Sequence, residues 1–492
     1  MSQKAALELV PRKEAVKFDV LPLFASNNEL QVAVPIEASE TILAEAIVSI
    51  QTSVRIKVTV TQRLPRAEIR RILGEEYKKL DADKPSYNVQ APAVKFASEL
   101  YELAVRQGAS DIHIEPCIDG TGTIRFRVDG ALREIRTVPA DLYGNLTNHI
   151  KIAAEMGNDD IGPADGTYEF EYSGGKRAGR VASTPTFLGK QRIVIRIMGS
   201  SQLAPDFNSL GMRSKMLELF GKVLRVPYGV IIVTGPTGSG KTTTLYSALG
   251  IVADRSKSVS TIEDPPELPI PGVVQIPVNE AGGVTFATGL KSLLRSDPNI
   301  IMVGEIRDSD TAKIATQAAL TGILVLTTLH VKNASSTIER LAELGVSRSS
   351  IESSLTAVLG QRLLRKLCEN CRQKSPIPVR LRERSAAWQK EHGSPAQFFV
   401  PGGCKICSNT GYIGRTGVFE LIVVNNQLRE AIINGVSSVR IAKIAMESAG
   451  YLPMYEDGVD AVFLGQTSIE ELESKVIEEE MPVQLKEHRR FA

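Results

Sequence analysis

The stretch Gly229-Val-Ile-Ile-Val-Thr-Gly235-Pro-Thr-Gly-Ser-Gly-Lys241-Thr242 decides the fold. Its apolar half predicts a buried strand, and the residues that follow, Thr242–Val252, have the pattern of a helix. Residues 235–242 fit G-x-x-x-x-G-K-[ST], the P-loop motif, whose glycines let backbone N–H groups curl around phosphates at a helix N-terminus. The predicted phosphate contacts are Gly235, Pro236, Thr237, Gly238, Ser239, Gly240, Lys241, Thr242 and Thr243.

Further apolar segments extend this prediction beyond the glycine-rich loop. Ser258–Ile262, Ile300–Val303 and Ile323–Thr327 are strand-like and alternate with helical segments. Such alternation predicts a RecA-like α/β domain, in which helices cover both faces of a mostly parallel sheet. Lys241 would place its charge on the phosphates, and the Thr242 hydroxyl would ligate Mg²⁺. The alternative is a chance match in a glycine-rich turn, which the flanking strand and helix argue against.

Acidic residues follow two of these strands. The strand Ile300–Val303 leads into Gly-Glu305, so Glu305 is the candidate for the Mg²⁺ site, directly or through water; a helix-capping glutamate is the alternative. Residues 261–267, Thr-Ile-Glu-Asp-Pro-Pro-Glu, include Glu263 and Glu267 at another strand end. Carboxylates this close are costly unless they meet a cation or activate water. A solvated turn held by the two prolines would also accommodate them.

Four of the five cysteines form two C-x-x-C pairs, Cys368 with Cys371 and Cys404 with Cys407. In a cytosolic chain with too few cysteines for a disulfide scaffold, such pairs indicate a metal before a disulfide. Four thiolates fill the tetrahedral shell of Zn²⁺, so the predicted zinc site is structural. Two redox pairs or unrelated buried thiols are the alternatives. Cys117 stands alone and is interpreted as an ordinary small buried residue.

The composition argues against several classes of protein. The chain has 492 residues, too many for one compact core, and its 43% hydrophobic and 23% charged residues are ordinary for a globular protein. Lys and Arg number 58 and Asp and Glu 56, a balance that does not favour a dedicated nucleic-acid binder. No secretory signal peptide is expected, and no apolar run approaches the roughly 20 residues that span a bilayer. A cytoplasmic protein is therefore expected.

The chain is predicted to contain several domains joined by polar, proline-containing linkers. An N-terminal domain with the strands Leu30–Val34 and Val54–Val60 precedes a second α+β domain, and a helical part follows the cysteine pairs. The predicted boundaries are 1–82 for the N-terminal domain, 83–92 for a linker, 93–199 for the second α+β domain, 200–211 for another linker, 212–365 for the P-loop domain, 366–415 for the tetracysteine zinc module and 416–492 for the helical C-terminal part.

Together these segments resemble the secretion ATPase superfamily, specifically the type II secretion and type IV pilus assembly ATPases, over roughly residues 94–475. The P-loop resembles the family's Walker A motif, and five further motifs occur along the chain in the family's order. They are two upstream segments at 109–115 and 125–130, the Asp box at 261–267, the Walker B motif at 304–308 and the His box at 320–330. Assembly and export members commonly carry a tetracysteine zinc module, whereas retraction members generally lack it, so the resemblance favours extrusion.

The resemblance implies a homohexameric motor ring that hydrolyses ATP with Mg²⁺ to power pilus or pseudopilus assembly or protein secretion. It implies that Glu263 and Glu267 activate water, that Glu305 belongs to the Mg²⁺ shell and that His330 senses the nucleotide. Arg180 and Arg196 match arginines that reach the phosphates, where delocalised positive charge stabilises phosphoryl transfer. A surface salt bridge is the alternative for either arginine.

The resemblance also implies partners and a location. The ring would lie in the cytoplasm, peripheral at the inner membrane, and would act on an inner-membrane platform protein. The N-terminal domain would dock on a membrane-associated partner, although a plain stabilising role is the alternative. No direct nucleic-acid partner is expected.

The sequence departs from the family's pattern at a few places. Ile323 stands where the His box has an earlier histidine, and Gly189-Lys-Gln-Arg192 replaces a shorter Gly-Glu sequence. These departures suggest a divergent branch. Other functions therefore stay open: a nucleotide-dependent scaffold ring that hydrolyses weakly, a retraction ATPase, or a nucleic-acid-translocating relative.

Overall fold

The computed structural model describes residues 6–7, 9–10, 12–26, 29–54, 56–83, 90–156, 162–198, 206–447 and 451–478. Contacts divide the chain into two compact units, Met1–Lys95 and Phe96–Ala492. Each unit has its own hydrophobic core. No helix in the described ranges is both long and apolar enough to cross a bilayer.

The first unit is a small α+β fold. Its elements are α1 (Arg12–Lys17), β1 (Leu21–Ala25), β2 (Glu29–Pro35), α2 (Glu40–Val54), β3 (Lys57–Leu64) and α3 (Arg66–Asp83). The central strand β2 is antiparallel to β1 and parallel to β3. The strand predicted over Val54–Val60 is wrong at its start, because Val54 ends helix α2 and β3 begins at Lys57. Val54 and Ile56, the apolar residues that fit a strand there, are half-buried against the core of this unit.

An antiparallel sheet domain opens the second unit. Its elements are α4 (Gln90–Arg106), β4 (Ala109–Pro116), β5 (Gly122–Val128), β6 (Ala131–Val138), α5 (Ala140–Ala153), β7 (Ala164–Tyr172), β8 (Gly175–Pro185) and β9 (Gln191–Ile197). The strand order is β6-β5-β4-β9-β8-β7, with every neighbouring pair antiparallel. The turn expected between β5 and β6 is present, with positive φ at Asp129 and Gly130. Helix α4 begins inside the predicted linker 83–92, of which residues 84–89 lie outside the described residues.

The predicted parallel sheet forms the larger part of the second unit. Its elements, with those of the cysteine-bearing segment, are α6 (Ser214–Val223), β10 (Gly229–Thr234), α7 (Lys241–Val252), β11 (Val259–Glu263), β12 (Val274–Pro277), α8 (Phe286–Leu293), β13 (Ile300–Val303), α9 (Ser309–Leu320), β14 (Leu324–Leu329), α10 (Ser336–Glu343), α11 (Arg348–Ser354), β15 (Leu355–Leu367), β16 (Gln373–Lys374), α12 (Arg382–His392), β17 (Phe399–Val400) and β18 (Tyr412–Val423). Short 3₁₀ helices lie at Phe207–Leu210, Glu280–Gly282 and Val379–Leu381.

Seven strands form the sheet in the order β12-β11-β13-β14-β10-β15-β18. All neighbours are parallel except β15 and β18. Strand β10 is buried throughout because helices cover both faces. Val230 and Ile232 face one core and Ile231 and Val233 face the other, as the two-residue period of a strand requires.

The last strand of this sheet lies beyond the predicted end of the P-loop domain. Residues 416–423, which were expected to begin the helical C-terminal part, are the second half of β18. Strand β18 pairs with β15 along most of its length, from Ala357 opposite Val423 to Leu367 opposite Tyr412. The cysteine-bearing segment is therefore an excursion between two strands of one sheet.

In the described part of the chain, four helices follow β18 and pack against the sheet and the cysteine-bearing segment. They are α13 (Asn426–Ile433), α14 (Ser438–Met446), α15 (Met454–Phe463) and α16 (Ile469–Lys475). Arg365 on β15 holds the buried Glu471 of α16, with Nη2 2.6 Å from Oε2. Within the described residues after β18 the chain is organised in these four helices, while residues 479–492 lie outside the described residues.

Candidate functional site

The glycine-rich loop, residues 235–242, connects the buried strand β10 to helix α7. Gly235, Gly238 and Gly240 have φ values of 154°, 77° and 87°, a region that side chains rarely adopt. A Cβ atom at Gly235 would also stand 2.5 Å from the carbonyl oxygen of Gln361. The turn thus requires glycine at this position, and it leaves the N-terminus of α7 at the carboxyl edge of the sheet.

Gln361, a buried residue of β15, holds the glycine-rich loop in place through hydrogen bonds. Its Nε2 donates to the carbonyl oxygen of Ser239 at 2.8 Å, and its Oε1 accepts from the Thr244 hydroxyl at 2.7 Å. One amide therefore holds both the loop and the first turn of α7, using its donor and acceptor together.

Lys241 is buried and directed back over the loop. Its Nζ donates to the carbonyl oxygens of Gly235 and Pro236 at 2.9 Å and 3.1 Å. Desolvation lowers the pKa of Lys241 to about 8, with Glu305 opposing and Arg362 reinforcing this effect. The loop therefore holds a partly desolvated ammonium group, which an anion would stabilise in its charged form.

Glu305 lies just after β13, close enough to favour the charged form of Lys241 electrostatically. Its Oε2 accepts from His330 Nε2 at 2.9 Å, and its Oε1 accepts from Arg307 Nε at 2.6 Å. Arg307 also places Nη1 3.3 Å from Asp264 Oδ2, which connects the ends of β13 and β11. The predicted residues Lys241, Glu305 and His330 thus meet at one edge of the sheet.

Glu263 ends β11 and is buried, with 3% of its surface exposed. It accepts hydrogen bonds from the Tyr246 hydroxyl, from Thr261 Oγ1 at 2.5 Å and from Gln275 Nε2 at 3.1 Å. These three hydrogen bonds hold the carboxylate in one orientation.

Glu267 is the solvent-accessible member of the predicted acidic pair. Desolvation of its carboxyl group raises the pKa of Glu267, the nearby Glu263 adds to the rise, and Arg196 opposes it. Arg196 thus reaches the acidic strand end electrostatically from the antiparallel domain, while its Nε pairs with Asp111 Oδ1 at 3.1 Å. Arg180 is opposite Arg196 on the neighbouring strand and is exposed.

The four paired cysteines meet in a second site, apart from the loop. The sulfur of Cys368 lies 3.9 Å from that of Cys404, and the sulfur of Cys407 lies 3.7 Å from those of Cys371 and Cys404. All four sulfurs lie within 4.8 Å of one another. Sulfurs bound to one tetrahedral Zn²⁺ at about 2.3 Å would be about 3.8 Å apart, so the cluster has the dimensions of such a site.

Backbone groups prepare one of these sulfurs for a metal. The N–H groups of Gly411 and Cys404 point at Cys407 Sγ from 3.2 Å and 3.4 Å. Desolvation alone would raise the pKa of Cys407, but these donors lower it to about 6. A thiolate with such support is the form that binds a metal.

Sequence reasoning missed three side chains that organise the first site: Gln361, Tyr246 and Arg307. Gln361 offered a signal, because an amide that follows the apolar run of residues 357–359 is costly to bury unless it has partners. Arg307 lies within the predicted Walker B motif, residues 304–308, but no role was predicted for it. Tyr246 looked like one more apolar position of α7, and only the tertiary fold brings its hydroxyl to Glu263.

Comparison with known proteins places the chain in a family. Residues 87–474 match the family described as "Type II/IV secretion system protein". "Type II secretion system protein E" of Aeromonas hydrophila is 40% identical over 397 residues, which cover 80% of this chain and 76% of that protein. "Type IV pilus assembly ATPase PilB" of Thermus thermophilus is 38% identical over 438 residues, 87% of this chain and 48% of that protein.

Solved structures share the fold at lower identity. The ATPase DotB of Legionella pneumophila has a TM-score of 0.56 and 22% identity, covering 77% of this chain and 94% of that one. The pilus retraction motor PilT with bound ADP has a TM-score of 0.52 and 24% identity, covering 77% and 96%. The resemblance inferred from the sequence motifs is confirmed by the family match: the chain is an ATPase of the type II/IV secretion system protein family.

Proposed function

We propose that this ATPase works as a motor that extends a pilus or pseudopilus or drives protein secretion at the inner membrane. The supporting observation is the meeting of Lys241, Glu305 and His330 at the edge of a parallel sheet, in a chain 40% identical to a type II secretion protein E. The backbone N–H groups of the glycine-rich loop and the Lys241 ammonium would hold the β- and γ-phosphates of ATP.

Mg²⁺ would bind beside the phosphates. The Thr242 hydroxyl at the start of α7 and the Glu305 carboxylate are oxygen donors, which this ion prefers. Both Glu305 oxygens already accept hydrogen bonds, so the carboxylate would serve the ion through its remaining lone pairs or through a bound water. When bound, the ion neutralises charge that develops on the phosphates.

Glu263 and Glu267 would activate the attacking water. Arg196 and Arg180, from the antiparallel domain, would contribute positive charge to the phosphates. His330 would report on the nucleotide, because phosphate binding at Lys241 alters the field around the Glu305–His330 pair. The four clustered cysteines would bind one structural Zn²⁺, a proposal supported by the sulfur separations.

The assembly and its partners follow from the same proposal. Six chains would form a ring in the cytoplasm, peripheral at the inner membrane, where it would act on a platform protein. The first unit would dock on a membrane-associated partner. Its exposed Ile42 and Val48, on helix α2, are apolar side chains available for such a contact.

The motor proposal can be tested in the host cell. Deletion of the gene should abolish surface pili or secretion, and the wild-type gene should restore them, whereas a Lys241→Ala gene should not. Restoration by the Lys241→Ala gene would indicate a scaffold ring instead. Pili that increase after deletion would indicate retraction.

The lowered pKa of Lys241 predicts proton uptake when nucleotide binds. With a pKa of about 8, Lys241 in the empty protein is mostly charged at pH 7 and mostly neutral at pH 8.5. Phosphates favour the charged form, so binding of MgADP should take up about 0.1 proton per site at pH 7 and about 0.7 at pH 8.5. Calorimetry in buffers of different ionisation enthalpy measures this uptake. Equal uptake at the two pH values would contradict the lowered pKa.

A further inference from the structure

A tyrosine hydroxyl lies between the two acidic residues of the strand end. Tyr246 belongs to helix α7, five positions after Lys241, and 2% of its surface is exposed. Its hydroxyl donates to Glu263 Oε2 and accepts the backbone N–H of Glu267 at 3.0 Å. The single hydroxyl therefore uses its donor and its acceptor on two different residues of the same loop.

The carboxylates of Glu263 and Glu267 differ in their hydrogen bonding and in their exposure to water. Glu263 is buried and accepts hydrogen bonds from Tyr246, Thr261 and Gln275, which hold its carboxylate in one orientation. Glu267 is tied to Tyr246 through its main chain, so its carboxylate stays available. Of the pair, Glu267 is thus the carboxylate that is exposed to water.

The hydroxyl itself remains protonated throughout. Burial and the hydrogen bond to Glu263 raise the pKa of Tyr246 well above its usual value. Tyr246 therefore cannot act as the proton acceptor at neutral pH, and its contribution has to be geometric. Since Tyr246 shares a helix with Lys241 and Thr242, it also connects the acidic strand end to the glycine-rich loop.

We propose that Tyr246 is a positioning residue for ATP hydrolysis, whose hydroxyl holds Glu263 and the main chain of Glu267 so that the Glu267 carboxylate faces the attacking water. This inference rests on the proposed role of the acidic pair. As the water oxygen bonds to the γ-phosphorus and the bond from that phosphorus to the ADP oxygen breaks, the water proton passes to Glu267 and later to solvent. Tyr246 keeps its proton.

The test is the Tyr246→Phe variant of the full chain, which keeps the ring in the core and removes only the hydroxyl. Its kcat for MgATP should fall about tenfold, less than the roughly 10²–10⁴ that loss of a proton acceptor costs, with KM within about twofold. The acidic limb of the kcat–pH profile should move to lower pH. The reason is that Glu267, released from Tyr246, becomes better hydrated and its pKa falls towards the usual value.

Tyr412→Phe is the matched control. It removes another buried tyrosine hydroxyl, which bonds Ser468 Oγ at 2.8 Å beside the cysteine cluster. A similar fall in melting temperature is expected, with kcat and the pH profile unchanged. Tyr246→Phe with a wild-type kcat, or with a reduced kcat and an unmoved acidic limb, would overturn the positioning role. Failure of the wild type and of Tyr412→Phe to hydrolyse ATP would instead refute the catalytic proposal as a whole.

Discussion

Lys241→Ala is expected to reduce kcat for ATP hydrolysis by about a thousandfold, the loss typical when a charge-stabilising group is removed from a transition state. The lysine supplies the ammonium charge within the glycine-rich loop, where it is buried and bonded to the carbonyl oxygens of Gly235 and Pro236. Phosphate release from MgATP measures the effect. A nucleotide-free melting curve shows whether the variant is folded.

Lys222→Ala is the appropriate control for that variant. Lys222 lies on helix α6, with 70% of its side chain exposed, and pairs with the exposed Glu218 on the same helix. Loss of such a pair changes stability by less than about 1 kcal/mol. Its turnover should match the wild type. Residual activity above a tenth of wild type in Lys241→Ala would contradict the role assigned to the loop.

Cys407→Ser is expected to give the largest loss of stability. The variant removes one of four ligands, so zinc content should fall from about one ion per chain to well below that, because an incomplete tetrahedral site binds weakly. Since the ion would connect the ends of β15 and β18, loss of about 4 kcal/mol should lower Tm by about 5 °C. Metal analysis and thermal melting measure the two quantities.

Cys117→Ser serves as the matched control, because Cys117 lies in the antiparallel domain with its sulfur 3.1 Å from Thr123 Oγ1. Its zinc content should equal that of the wild type. A Cys407→Ser protein that retains its metal, or a metal-free wild type that melts at the same temperature as the loaded protein, would remove the structural zinc proposal.

The parallel strands were predictable because their signals are local. Strand β13 has the predicted bounds, and β10 and helix α7 differ from prediction by one residue. A parallel strand buried on both faces reads as a continuous apolar run, and the glycine-rich loop marks the point where the first one turns into a helix.

The edge of the sheet was harder to predict. Strand β15 contains Gln361, Arg362 and Arg365, which interrupt its apolar pattern, and each is satisfied by a partner distant in sequence. Its neighbour β18 has an apolar second half that fits a strand or a buried helix equally well. Only the pairing of β18 with β15 shows that this segment is a strand and not a helix. That pairing joins residues on either side of the cysteine-bearing segment, so it cannot be predicted from local sequence.

Contacts between residues distant in sequence also limited the prediction of the acidic site at the end of β11. The residue types of Glu263 and Glu267 predicted an acidic cluster, but their spacing could not tell which carboxylate is enclosed. That distinction depends on Tyr246 from α7 and Gln275 from β12, which reach the strand end only in the folded chain.

Strand β15 is held at two distant points. Gln361 fixes one to the glycine-rich loop, and Cys368 fixes the other to the cysteine cluster. Six residues lie between them, and the seven steps of extended chain from one to the other span about 23 Å at roughly 3.3 Å per residue. Held at both ends, the strand would couple the two sites, so that a displacement of the cysteine cluster would shift Gln361 under the glycine-rich loop, and a displacement of the loop would shift the cluster in turn.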